Sequence, residues 1–140
     1  MNRKVVGLVL IIMLSFTSSV FATNWVGVQK ENNSPPTVYF DADTVFKEAD
    51  TITFWVLFVY DQPQDFDVQK LMWQYVVTTK QPRTFKTLVS YGYDSKNVEL
   101  MRGKGMNYGS SLEGTSTDKA VTSALKYAKE GKDTGVKPTP

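Results

Sequence analysis

The stretch 51–61, TITFWVLFVYD, constrains the fold of this chain more than any other feature. After Thr53, every residue up to Tyr60 is apolar, so both faces of an extended strand would be apolar here. A strand with one face in water alternates apolar and polar residues instead. The sequence therefore predicts a strand that is covered on both faces. On one of these faces, three side chains are expected to meet either the core or a second copy of the chain: Trp55, Leu57 and Val59.

Five other stretches have the β-branched and aromatic residues of strands, bounded by turn residues. They are 25–28, 37–40, 71–79, 84–93 and the stretch that begins at 98. The apolar residues of 84–93 do not share one parity, which predicts a bulge near Ser90 or Gly92. Strands joined by such short turns form an antiparallel meander.

The pattern changes from strand to helix after Ser111. Small and apolar residues recur at three- and four-residue spacing between Ala120 and Ala128, after Thr115, Ser116 or Thr117 as N-cap. The predicted fold class is α+β, an antiparallel meander sheet of about six strands with one C-terminal helix packed on it. One helix covers only part of one face, so either a strongly curved sheet or a homodimer would have to cover the other.

The first 22 residues have the parts of a secretory signal peptide. A basic start at Arg3 and Lys4 precedes an apolar run over 5–14, and small residues lead to Ala22. The apolar run is shorter than the roughly 20 residues that span a bilayer. We therefore expect cleavage after Ala22, a single domain over 23–131 without a membrane span, and a disordered polar tail over 132–140.

The chain contains no cysteine and no histidine. These residues supply the thiol nucleophile, the commonest general base and the commonest zinc ligands. We therefore expect no catalytic residues, no metal site, no cofactor and no enzymatic activity. Once Arg3 and Lys4 are removed with the signal peptide, basic and acidic residues are equal in number, so charge gives no support to nucleic-acid binding.

The segment 78–86, TTKQPRTFK, is the candidate binding site in the sequence. It contains three basic residues and no acidic one: Lys80, Arg83 and Lys86. A basic hairpin tip can bind an acidic patch on a protein partner. Lysines in turns and at sheet edges also prevent aggregation, and this alternative reading stays open.

Several stretches taken together resemble the surface-adhesin protein E family of exported bacterial proteins. The resemblance covers about residues 24–130 and rests on strand patterns, not on a catalytic signature. It implies a small antiparallel sheet with a C-terminal helix, and dimerisation. The stretches are Trp25, VYFDADTV at 38–45, ITFWVLFVYDQPQ at 52–64, TLVSYGYDSKNVEL at 87–100 and STDKAVTSALKYA at 116–128.

The resemblance also implies a function, namely adhesion to host matrix and plasma proteins such as vitronectin and laminin. A lysine-containing central region of the family would fall near Lys80, Arg83 and Lys86. The family's adhesin is lipid-anchored at the cell surface, whereas this chain has no cysteine to acylate. Two functions therefore remain for an exported protein of a Gram-negative bacterium: a surface adhesin, or a soluble periplasmic binding or accessory protein of the cell envelope with no host partner.

Overall fold

A computed structural model of the chain describes residues 23–28, 32, 34–107, 109 and 113–140. The predicted signal peptide, 1–22, lies outside the described residues. Within them the chain forms one α-helix and a single sheet. The strands are β1 (Trp25–Gly27), β2 (Thr37–Asp41), β3 (Phe46–Glu48), β4 (Thr51–Val59), β5 (Lys70–Thr78), β6 (Phe85–Tyr93), β7 (Glu99–Asn107) and β8 (Lys129–Glu130), and the helix is α1 (Ser116–Ala124).

The main sheet runs in the order β1-β2-β4-β5-β6-β7, and all of these neighbours are antiparallel. This confirms the predicted six-stranded meander with one C-terminal helix. Two short strands extend it beyond the prediction. Strand β3 pairs with Thr51–Thr53 of β4, and β8 pairs with β3 in parallel.

The helix α1 starts where the sequence predicts, with Thr115 as its N-cap. The Thr115 hydroxyl accepts a hydrogen bond of 3.2 Å from the backbone N–H of Asp118. The helix ends before the predicted Ala128, because the chain tightens into a 3₁₀ turn, Leu125–Tyr127. The chain then becomes β8, where the backbone N–H of Lys129 donates to the Val45 carbonyl at 3.0 Å.

One face of the sheet, the helix face, forms the larger core. The helix contributes Ala120, Val121 and Ala124, which are small enough to bring α1 close to β2 and β4. Larger side chains from the strands fill the space around these three helix residues. The buried strand residues of this core are Val38, Phe40, Ile52, Phe54, Val56, Tyr75 and Val77.

The opposite face carries a second core, which contains Trp55, Leu57, Met72 and Tyr93. Trp25, Tyr39, Val59, Val89 and Tyr91 pack against it. The segment 131–140, here called the strap, crosses this face. Its contacts involve residues of the same face, from Gln74 in the middle of the sheet to Trp25 in β1.

The strap corrects the expectation of a disordered tail over 132–140. Gln74 Nε2 donates to Asp133 Oδ2 at 2.7 Å, and Trp25 Nε1 donates to the Thr139 carbonyl at 2.8 Å. Pro138 is buried. The strap is polar in composition, and it forms hydrogen bonds with polar groups at the rim of the second core. Its partners Gln74 and Trp25 are 59 and 114 residues away in sequence from the strap residues that they bind. No local pattern reports such contacts.

The pairing of β6 with its two neighbours contains two register shifts. One shift lies between Gly92 and Tyr93 in the pairing with β7, but its extra residue, Leu100, belongs to β7 and leaves the alternation of β6 unchanged. The other occurs in the β5–β6 pairing opposite Gln74 and Tyr75, and its extra residue is Leu88. The bulge of β6 is therefore at Leu88, just before the predicted Ser90, and it puts Phe85 on the helix face and Val89, Tyr91 and Tyr93 on the strap face.

Candidate protein-binding surface

The structure does not bring the three predicted binding residues into one exposed surface. Arg83 is only 8% exposed, and its guanidinium binds the first turn of α1. Arg83 Nη1 donates to Asp118 Oδ1 at 2.6 Å and to Thr122 Oγ1 at 3.0 Å. Arg83 therefore ties the β5–β6 turn to the helix.

Lys80 and Lys86 differ from Arg83 because both are exposed. Lys80 Nζ lies 3.2 Å from Asp50 Oδ1, and both side chains of this pair are largely in water. Lys86 has no partner among the described residues. Since its neighbour Phe85 packs on the helix-face core, Lys86 points toward the strap face.

Trp55, Leu57 and Val59, predicted to face the core or a second copy, lie in the second core of the single chain. Trp55 is 3% exposed and Leu57 is 4% exposed, while Val59 is half-buried beside them. The Trp55 ring contacts the Tyr91 ring, with their centroids 6.1 Å apart. A homodimer, which is one of the two alternatives that the sequence leaves open for covering this face, stays a prediction.

A charged cluster lies where the strap crosses β6 and β7. Lys137 Nζ is 3.4 Å from Glu99 Oε2 and 3.8 Å from the centroid of the Tyr91 ring. The Arg102 guanidinium reaches the same two residues, with Nε donating to Glu99 Oε1 at 3.2 Å and Cζ 5.0 Å from the Tyr91 centroid. The Glu99 carboxylate and the face of the Tyr91 ring therefore both contact the same two cations, the Lys137 ammonium and the Arg102 guanidinium.

The electrostatics of this cluster keep its ion pairs charged. Desolvation opposes ionisation of Glu99, but the hydrogen bonds and charges of Arg102 and Lys137 outweigh it and lower the pKa of the carboxyl. Desolvation also opposes the charge on Lys137, yet Tyr93 and Glu99 together raise its pKa. Burial raises the pKa of the Tyr93 hydroxyl, with the Lys137 ammonium acting against it. At neutral pH the strap is therefore held by charged Glu99 and Lys137 beside a neutral tyrosine.

Strand β7 adds two further basic side chains to the face on which Lys86 lies. Arg102 lies opposite Tyr91 and Lys104 lies opposite Val89, so both point toward the strap face. We call Lys86, Arg102 and Lys104 the basic stripe. Glu99 is bound to Arg102, whereas Lys86 and Lys104 have no acidic partner in the described part of the chain.

Strands β6 and β7 and the turn between them also expose apolar side chains, which sequence reasoning did not single out. Met106 is 59% exposed, and the other residues of this group are about two-fifths to half exposed. A run of exposed apolar residues in one region is unusual for a surface without a partner. The group consists of Leu88, Val98, Leu100, Met101 and Met106.

The comparison with known families agrees with this strand arrangement. Residues 25–91 match the family model of surface-adhesin protein E. The resemblance predicted from the sequence is thus confirmed over β1 to β5 and most of β6. No curated protein and no solved structure matches the chain significantly.

The surface-adhesin protein E match divides the candidate surface. Arg83 and Lys86 lie inside the matched range, whereas β7, α1 and the strap follow it. Two of the three residues of the basic stripe, Arg102 and Lys104, and four of the five exposed apolar residues therefore lie beyond the match. The sequence contains a signal for the basic residues of β7, because Arg102 and Lys104 alternate with glycine in Arg102-Gly103-Lys104-Gly105.

The described residues give no sign of a membrane helix or a metal site. None of their helices has the length and apolar character needed to cross a membrane. They also bring together no group of three or more acidic side chains that could hold a metal ion.

Proposed function

We propose that this chain is an exported, non-enzymatic protein of the surface-adhesin protein E type that acts by binding other proteins. The family match supports the adhesin class. The observation that carries the binding surface is the edge strand β7, which presents Arg102 and Lys104 on its strap face and the exposed Met101 on its helix face. Mixed apolar and cationic surfaces of this kind are typical of protein interfaces, where arginine and aromatic or methionine side chains are enriched.

The partner we propose is a host matrix protein with an acidic region. The mature chain has balanced charge, so a local excess of unpaired lysines would steer an acidic partner to this one surface. Of the predicted binding residues, Lys86 contributes directly from β6, and Lys80 lies in the exposed turn before that strand. Arg83 would act indirectly, since its guanidinium is engaged by Asp118 and Thr122.

Reversing the stripe is expected to weaken matrix-protein binding. We expect Lys86→Glu/Lys104→Glu to lower the affinity for immobilised laminin or vitronectin about tenfold or more, because two attractive charges become repulsive. Surface plasmon resonance at low and high salt measures this. Lys126→Glu/Lys132→Glu is the matched control, since it changes net charge equally at exposed positions away from the stripe. Equal loss in both variants would show that only total charge matters and would remove the stripe from the proposal.

The second candidate is a periplasmic accessory protein of the cell envelope, favoured by the absence of a cysteine that could be acylated. Protease treatment of intact cells separates the two candidates, with an outer-membrane-permeabilised sample as control. The adhesin proposal expects digestion of the protein without permeabilisation. Protection until the outer membrane is opened would contradict surface display and support the periplasmic candidate.

A further inference from the structure

The outer edge of β7 is the feature that carries a further inference. Among the described residues, β7 pairs only with β6, along nine residues from Glu99 to Asn107. The backbone N–H and C=O groups on its other side are therefore not used by any other strand that the structure describes. Exposed edges of this length are templates for pairing with another chain, and proteins usually shorten or cover them.

We propose that β7 docks an extended segment of a protein partner, which adds to the sheet as one more strand and carries acidic side chains at alternate positions. This inference rests on the proposed protein-binding function and names the chemistry of the partner. Addition of a strand to a sheet edge uses backbone hydrogen bonds for affinity and alternating side chains for specificity.

The charges on β7 select the acidic positions of the partner. Arg102 and Lys104 are two residues apart and point to the same face, so side chains at alternate positions of an added strand would lie beside them. The nearest acid on β7 is Glu99, which is already bound to Arg102 and to Lys137. The free positive charge at this edge is thus complementary to an acidic strand.

The same charges disfavour a second copy of this chain as the occupant. Antiparallel pairing of two β7 strands about a two-fold axis at Gly103 sets Arg102 opposite Lys104 of the second copy, twice. An axis at Arg102 or at Lys104 sets that residue opposite itself. Like charges directly opposite each other destabilise a strand pair, so pairing centred on any of these residues is opposed.

The other face of β7 selects apolar residues between the acidic ones. Met101 lies opposite Gly92, which lies opposite Leu71, so the three form one row on the helix face. A groove of about 540 Å³ lined by Phe66, Leu71 and Met101 adjoins this row. An apolar side chain of the added strand would continue the row toward the groove. The partner pattern is therefore alternating acidic and apolar.

The probe for this inference is a nine-residue peptide that alternates Glu and Val, compared with the same peptide alternating Lys and Val. We expect only the acidic peptide to bind and to slow hydrogen exchange of the backbone amides of 99–107 in the full chain. Lys104→Glu should weaken binding about tenfold, whereas Lys126→Glu should leave it unchanged. Circular dichroism confirms that both variants are folded.

Backbone methylation of the peptide distinguishes strand addition from side-chain attraction. Two versions carry N-methyl groups on alternate amides, one set odd and the other even. Strand addition uses the N–H groups of one set only, so one version should lose binding while the other keeps it. Equal affinities of the two versions, absence of exchange protection over 99–107, or no binding of the acidic peptide would overturn the inference. If matrix proteins bind without protecting 99–107, the proposed function stands and only this inference fails.

Discussion

Replacing Arg83 with methionine is expected to lower the free energy of unfolding by about 3 kcal/mol, which is a large part of the stability of a small domain. The Arg83–Asp118 pair is nearly buried, with side chains 9% and 14% exposed, so its loss leaves an acidic group without its partner. We expect the lower end of the range for broken buried pairs, because Asp118 keeps a contact with the Gly114 N–H at 3.4 Å. Urea unfolding followed by circular dichroism measures the change.

Lys80→Met is the matched control for this prediction, since Lys80 forms an exposed pair with Asp50 in the same turn. Exposed pairs contribute below about 1 kcal/mol, so this variant should unfold nearly as the parent does. The double variant Arg83→Met/Asp118→Leu should recover part of the loss, because no charge is then left buried and unpaired. Equal small losses for Arg83→Met and Lys80→Met would show that Arg83 is not a structural residue.

Removing residues 133–140 is expected to lower the melting temperature by about 10 °C. Loss of the strap would re-expose roughly one large apolar side chain and break four hydrogen bonds. Three of these bonds are exposed and contribute little, so the total effect is about 3 kcal/mol. Trp25 would lose its bond to the Thr139 carbonyl, and Trp55 lies on the uncovered face. Tryptophan emission should therefore shift to longer wavelength along with the decrease in melting temperature, and scanning calorimetry records the latter.

The full-length variant Lys137→Met serves as the control for the truncation. It removes the contacts to Glu99 and the tyrosine rings but keeps the strap's backbone, so it should lose less stability than the truncated chain. A truncated chain with an unchanged melting temperature and emission spectrum would contradict the role of the strap as a cover. If the truncated chain instead dimerises, the uncovered second core binds a second copy of the chain, which is one of the two covers that the sequence leaves open.

Local patterns were sufficient to predict most of the fold. The two-sided apolar run of β4 correctly predicted a central strand with cover on both faces, and the alanine spacing correctly placed α1. The two-residue β8 was not predicted, because it forms by pairing with the distant β3. The three-residue β3 pairs with the next strand, β4, but is too short to show a strand pattern. The strap was missed for the same reason as β8, since its contacts lie far away in sequence.

The binding surface was only partly predictable, for a physical reason that the lysine and arginine positions illustrate. A charged residue in a turn looks equally exposed in sequence whether it meets water or a helix. Lys86 is exposed, but Arg83 is buried because α1 supplies a carboxylate from Asp118 and a hydroxyl from Thr122 to it. Conversely, the sequence does not show which face of the sheet Arg102 and Lys104 occupy. The strand register shows it, because it pairs them with Tyr91 and Val89.

The strap joins the two ends of the domain. The backbone N–H of Thr139 donates to Thr23 Oγ1 at 2.9 Å, so the first and the next-to-last described residues lie side by side. A linker, tag or tether attached to either end would leave the domain at the same place. Such adjacent ends permit circular permutation, and they allow the whole domain to be inserted into a surface loop of another protein. This sheet could therefore serve as a portable module that presents its β7 edge from an unrelated scaffold.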